Sequence, residues 1–395
     1  MSDDAARLKN LASLNATVTS SDLRPYLALD AIESWTGKLA AHAGLEIRSP
    51  GSGMASVEPG DVLFGKLRPY LAKAWVADRP AYASTELLCM RPVERTDSRW
   101  LGYVLLSLPF VRFAEATSDG TKMPRTSWEK MSSYRLRPPR LAEQRDIADF
   151  LDVETTRIDA LISKKRRLLE LLDERRRSLI DRVTTRGTLV RIRYLTSLIT
   201  SGPRGWSDRV GDTGDAFVRS ANLMRDAIEL RLDNIARVEA PENPEAERSR
   251  LLTGDVLVGI TGANTGWVGL VPPELSAGFV SQHVAVLRAA GISPQWMAFS
   301  LFSYRIQGDL IARQYGGTKQ QLGLQDLAEL VIHVPSDSEQ EGMVTMLAEM
   351  ENRRFEISSR MNRHIGLLSE HRKALITAAV AGELDIALMI AEEAS

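Results

Sequence analysis

The chain repeats itself once, and that repeat constrains its fold more than any single motif. Asp119-Gly120-Thr121-Lys122 is answered by Gly316-Gly317-Thr318-Lys319, and each loop leads into a short apolar strand, a proline stop and a long charged stretch. Pro59-Gly60-Asp61-Val62-Leu63-Phe64-Gly65 returns as Thr253-Gly254-Asp255-Val256-Leu257-Val258-Gly259. Tyr26–Ile32 has a weaker echo in Phe217–Leu223, and Arg177-Ser178-Leu179-Ile180 is matched by Lys373-Ala374-Leu375-Ile376. An offset of about 195 residues is far too long for a solenoid. Two copies therefore fill the 395 residues, each a globular unit followed by a helix.

Each copy is long enough to bury its own core. No apolar run reaches the roughly 20 residues of a bilayer-spanning helix. The N-terminal Met-Ser-Asp-Asp-Ala-Ala has neither the basic nor the apolar region of a signal peptide. The single cysteine, Cys89, has no internal disulfide partner. It reads as a buried small hydrophobe in a reducing cytoplasm. A formal net charge of −1 leaves the question of nucleic acid to local charge distribution.

Residues 1–140 read as a mixed α/β unit, with strands at Asp61–Leu67, Ala72–Ala77 and Ser84–Met90, a helix at Ser98–Glu115 and a last strand at Ser133–Arg137. Prolines 138 and 139 end that strand because they cannot donate to a ladder. Residues 141–187 predict a long helix of about 65–70 Å. Its seam is Ile147, Leu151, Ile158, Leu161, Leu168, Leu172 and Leu179, interrupted by Glu154, Lys165 and Arg175. Residues 188–336 form the second α/β unit. Residues 337–384 form a second long helix, with seam Val344, Leu347, Met361, Ile365, Leu368, Leu375 and Ala379, and 385–395 are a tail. Two seams of matching length predict helices packed antiparallel as a coiled coil; the alternative is that each lies on its own domain. The fold class is α+β: two similar α/β domains, two long helices and an internal pseudo-two-fold repeat.

No catalytic motif is present. Gly259-Ile-Thr-Gly-Ala-Asn-Thr-Gly266 lacks the Gly-Lys-Ser/Thr of a phosphate-binding loop, and no Gly-x-Gly-x-x-Gly follows a strand. The five histidines (His42, His283, His333, His364, His371) are scattered without a carboxylate or cysteine cluster, so no metal site is expected. The Asn/Asp-Pro-Pro-Tyr/Phe tetrapeptide of amino-methyltransferases is missing. The chain reads as a non-enzyme.

The inter-strand linkers hold the candidate chemistry. In the first unit they carry Lys66, Arg68, Lys73, Lys122, Arg125 and Ser127. In the second they carry Arg204, Trp206, Arg209, Arg219, Asn222, Asn264, Thr265, Gln282, Arg313, Lys319, Gln320 and Gln321. Arginine suits guanine O6/N7, Asn and Gln suit adenine N6/N7, and lysine with backbone N–H groups suits phosphate. Gly-Thr-Lys in both copies fits a phosphate-facing loop, and it equally fits an ordinary polar turn. The basic runs Lys164–Arg167 and Arg175–Arg177, interleaved with acids, read as a solvated helix flank.

Pro139-Arg-Leu-Ala-Glu-Gln-Arg-Asp-Ile-Ala-Asp-Phe-Leu-Asp152 and Thr156-Arg-Ile-Asp-Ala-Leu-Ile-Ser-Lys-Lys165 resemble the helical region of type I restriction–modification specificity subunits. Arg204-Gly-Trp206, Arg219, Asn222 and Gly317-Thr-Lys-Gln-Gln321 resemble landmarks of their target recognition domains. The resemblance covers essentially the whole chain. Three segments depart from it. Ser201–Trp206 has no N-terminal counterpart, Lys122 is followed by Met-Pro-Arg rather than Gln-Gln, and Ser338-Glu-Gln-Glu-Gly342 differs from Leu141-Ala-Glu-Gln-Arg145.

The resemblance implies a non-catalytic DNA-reading subunit with no cofactor of its own. Each recognition domain would read one half of a split, asymmetric target in double-stranded DNA, and the helices would set the spacer. Two methyltransferase subunits would supply S-adenosylmethionine and adenine N6 methylation, and motor–nuclease subunits would supply the ATP- and magnesium-dependent steps. Two other readings stay open: a coiled-coil scaffold without a DNA role, and a specificity subunit of a fused restriction–methylation enzyme.

Overall fold

The computed structural model describes residues 5–15, 21–40, 46–317 and 320–386. Its two compact units are 1–166 with 361–395, and 167–360, so each contains a piece of both long helices.

In unit 1 an antiparallel sheet runs in the order Ala12–Leu14, Leu87–Pro92, Val62–Gly65, Ala74–Val76. A second sheet runs Ile47–Arg48, Arg24–Leu27, Ala81–Ala83, Ala55–Val57, and its central pair is parallel. Unit 2 repeats both sheets. The first is Thr196–Ser201, Val284–Ala289, Val256–Gly259, Val268–Leu270. The second is Val210–Gly211, Ala236–Val238, Asp215–Val218, Phe279–Val280, again with one parallel pair. Val62–Gly65 and Val256–Gly259 are buried on both faces, which is why each reads as an unbroken apolar run rather than an alternating one.

The helix expected at Ser98–Glu115 is two, Ser98–Leu105 and Leu108–Ala116. Pro109 removes one backbone donor there, and the Ser107 hydroxyl satisfies Val104 O at 2.7 Å. Unit 2 breaks at the same point without proline, between Pro294–Phe302 and Tyr304–Ala312. Ser303 donates to Ser300 O, also at 2.7 Å.

The long helices are Leu141–Val183 and Asp337–Ala381. Their starts look different in sequence, yet a shared Glu-Gln does the same work at both. Glu143 accepts from Arg140 N and Glu339 from Ser336 N, each at 3.0 Å. Buried Gln144 accepts from Asp97 N and donates to Pro139 O. Buried Gln340 accepts from Ser293 N and donates to Pro335 O. Each glutamine thereby ties a helix start to its own globular head.

The helices run antiparallel within each unit. In unit 1 Asp159 meets Arg372, and Ile147 and Leu151 share a core with Ile376 and Ala379. In unit 2 Arg176 meets Glu351, and Ile180 and Val183 share a core with Leu347.

The seam register needs correction. Ile147, Leu151 and Ile158 are buried, but at the other seam positions burial falls one residue later, on Thr155, Ile162, Arg176 and Ile180 in place of 154, 161, 175 and 179. Leu161 and Leu168 are each 44 % exposed. A strict heptad advances faster than a helix of 3.6 residues per turn, so the buried stripe drifts away from it by about 20° per heptad. In the second helix Leu347 and Ala379 are buried, while Val344, Met361, Ile365, Leu368 and Leu375 are half-buried, as are Leu172 and Leu179 in the first.

Candidate nucleic-acid interface

The candidate residues converge because each copy closes a hairpin onto the end of its Gly-Asp-Val-Leu strand. In unit 1, Asp119 pairs with Arg125, and Leu67 pairs with Arg125 as well. Arg68 N donates to Pro124 O at 2.7 Å and Thr126 N to Lys66 O at 2.9 Å. In unit 2, Tyr315 and Thr261 both pair with Gln321, and Gly262 N donates to Gln320 O at 3.0 Å. Counted from these pairs, Gly120 (φ 88°) corresponds to Gly316 (φ 92°). The two Gly-Thr-Lys tripeptides are therefore one residue out of step, and the shared feature is the left-handed glycine that opens the turn. Thr318 and Lys319 lie outside the described residues.

This geometry brings Lys66, Arg68, Lys122 and Arg125 to one loop cluster. Arg68 and Lys122 are exposed, while Arg125 is paired with Glu86 at 3.0 Å. Arg68 occupies the left-handed region (φ 51°, ψ 63°), where Gly262 (φ 90°) stands in unit 2. A non-glycine residue held there costs about 1–2 kcal/mol, so its side chain is retained at a conformational cost to the fold. Lys73 is tied to Leu29 O at 3.0 Å and half-buried, and Ser127 precedes the short helix Trp128–Met131.

In unit 2 several candidates hold the loops together. Asn222 is buried, accepts from Arg219 N and donates to Arg231 O. Asn264 donates to Ser220 O at 2.7 Å, and Thr265 to Gly262 O at 2.7 Å. Gly259-to-Gly266 is the turn of a hairpin, closed by Gly266 N to Gly259 O at 2.8 Å. A Cβ on Gly259 would meet Asn264 O at 2.1 Å, so the glycine pattern serves the turn and not a phosphate.

Trp206 is a correction. It is 4 % exposed, its ring 5.3 Å from Phe279 and 6.5 Å from Phe217, and it fills a small apolar core instead of facing solvent. Its large apolar surface favours burial over display. Arg204, Arg209, Arg313, Gln320 and Gln321 are exposed, and Gln282 lies beside His283. Half-buried Arg219 keeps a buried Nε with no hydrogen-bond acceptor among the described residues.

His364 and His371 are exposed, and His42 lies outside the described residues. No group of three or more metal-ligating side chains occurs among the described residues. No helix among them is long and apolar enough to cross a membrane. Cys89 is buried 3.7 Å from Asp61, and burial pushes its thiol pKa well up. That removes the thiolate needed for nucleophilic chemistry.

Two α/β heads, each with its loop cluster and a share of two antiparallel helices, define a tandem-repeat architecture. The specificity subunits of the type I restriction enzymes EcoDI and EcoBI of Escherichia coli are similar to this chain. The first is 26 % identical over 148 residues, which is 37 % of this chain and 31 % of that subunit. The second is 21 % identical over 357 residues, 83 % of this chain and 74 % of that subunit. No family model matches. Among solved structures, a chain described under complex assembly and conformational transition of the type I R-M system aligns with a TM-score of 0.78. It is 17 % identical and covers 96 % of this chain and 98 % of that one. The HsdS subunit from Thermoanaerobacter tengcongensis aligns with a TM-score of 0.54 at 18 % identity, covering 96 % of this chain and 97 % of that one. Both curated relatives are thus type I specificity subunits, matched over part of their length, and the fold is matched over nearly the whole chain.

Proposed function

We propose that this chain is the DNA-reading specificity subunit of a type I restriction–modification complex. The observation that carries the reading is the repeated hairpin-on-strand cluster. Both heads project polar side chains from one topological position, but with different residues: Lys66, Arg68 and Lys122 in the first, Gln320 and Gln321 in the second. Equal scaffolds with unequal readout groups are what a bipartite, asymmetric target requires. Arg204, Arg209 and Arg219 add phosphate and guanine contacts in the second head.

The chain itself carries no catalytic step. Two methyltransferase subunits supply S-adenosylmethionine and transfer methyl groups to adenine N6 in each half-site. Motor–nuclease subunits supply ATP- and magnesium-dependent cleavage. The complex acts in the cytoplasm, and the long helices set the spacer between half-sites.

Methylome sequencing of a host expressing this chain with its cognate methyltransferase tests the reading. The expected result is a new bipartite motif with N6-methyladenine in both halves. A stable complex that leaves the methylome unchanged would favour the coiled-coil scaffold instead.

A further inference from the structure

The repeat places Arg176-Arg177 of unit 2 where Arg372-Lys373 stands in unit 1, and the two pairs have different fates. In unit 1 Arg372 pairs with Asp159 at 3.0 Å and spends its other two nitrogens on a loop of the first head. Nη1 donates to Trp35 O at 2.6 Å and Nη2 to Thr36 O at 2.8 Å. Lys373 lies 4.1 Å from the Trp35 ring centroid, a cation–π contact. The clamp thus reads an aromatic ring and two successive backbone carbonyls.

Unit 2 keeps the clamp without that occupant. Arg176 pairs with Glu351 at 2.5 Å and lies over the Phe302 ring at 4.7 Å. Its side chain is 2 % exposed, yet Nη1 has no hydrogen-bond acceptor among the described residues, only an ion-pair contact with Asp173 Oδ1 at 3.5 Å. The corresponding loop is the same length, because Ala40 N donates to Ala31 O and Arg231 N to Asn222 O at its two closures. Here, however, Ile228 is drawn into the core and its carbonyl accepts from Leu270 N. A cleft of about 480 Å³ remains, walled by Arg176, Phe302, Tyr304, Gln307 and Gln314. That size suits a side chain with its flanking backbone. An incoming carbonyl would supply the buried Nη1 N–H with the hydrogen-bond acceptor it lacks.

We propose that this cleft is a docking site for a loop of a partner polypeptide, presenting an aromatic side chain and adjacent free carbonyls as 34–36 do in unit 1. Neutral carbonyls suit it better than nucleic-acid phosphate. Glu351 pairs with Arg176 and Asp173 with Arg177, Asp226 accompanies Arg225 in the lining, and Trp267, Phe302 and Tyr304 supply aromatic walls. The site is independent of the DNA reading, since it needs only the clamp and the cleft.

The test uses a dye-labelled peptide with the sequence of residues 31–40, titrated into the full chain and followed by fluorescence anisotropy. Saturable binding is expected, about tenfold weaker for a Trp35→Ala peptide and about tenfold weaker for the R176Q/E351Q chain, which keeps a neutral hydrogen-bonding pair. The peptide variant keeps the test decisive if the protein variant fails to fold. No saturable binding, equal affinity for both peptides, or displacement by inorganic phosphate or a short DNA duplex would overturn the proposal. The last result would make the cleft an anion or nucleic-acid site.

Discussion

Asp61 and Arg91 form a two-pronged ion pair, Nε to Oδ1 and Nη2 to Oδ2, both at 2.9 Å, with the carboxylate buried and the arginine half in solvent. Asp61 Oδ2 also accepts from Glu58 N, pinning the turn before the strand. Asp255 and Arg288 repeat this in unit 2, at 2.9 and 2.8 Å, with Leu252 N as the turn donor. The aspartate of each Gly-Asp-Val-Leu motif is therefore a structural anchor. Asp61→Ala should lower the stability of unit 1 by about 2 kcal/mol, mainly through the unsatisfied turn N–H and the lost charge-assisted bonds. Urea unfolding measures this, and a change under about 0.5 kcal/mol would remove the anchor role.

Arg68→Gly should separate folding from binding. Glycine relieves the left-handed backbone, so unfolding should shift toward greater stability by up to about 1 kcal/mol. DNA affinity should fall at the same time. A variant that binds as tightly as the parent chain would show that Arg68 does not face DNA.

Phosphate contacts predict a steep fall of affinity with salt. Replacing Lys122 with Gln should reduce the slope of log K against log salt by about 1, while leaving the preferred bases unchanged. A shift in base preference at constant slope would make Lys122 a base reader.

The spacer can be tested through the helix. Four residues inserted after Leu168 add about 6 Å and rotate the following turns. The methylated motif should gain spacer length or vanish, with each half-site intact. Altered half-site bases at constant spacer would contradict the ruler role.

Glu339 predicts an acid-side dependence. Hydrogen bonds from the Ser336 hydroxyl and N–H hold its carboxyl below the ordinary value of 4.5. A depressed pKa stabilises the folded state above 4.5, and that contribution is lost as pH falls through the folded-state value. The stability difference between the parent chain and Glu339→Gln should therefore shrink as pH falls below 4.5. A constant difference across that window would mean that the charge contributes nothing.

The repeat, the two heads, the long helices and the antiparallel pairing follow from order and periodicity, which are local properties of the chain. Glu143-Gln144 and Glu339-Gln340 were visible too, but differing neighbours hid their shared role. The rest depends on which atoms meet. Trp206 reads as a DNA contact until Phe217 and Phe279 close on it. Arg176 reads as one of three solvated arginines until Glu351 and Phe302 bury it. Leu161 and Leu168 fit a heptad on paper, and the true pitch of the helix turns them outward. Sequence by itself determined the architecture, because apolar periodicity and glycine and proline punctuation act within a few residues. Tertiary structure alone decided which polar side chains stay free to bind, because burial and hydrogen-bond partners come from segments far apart in the chain.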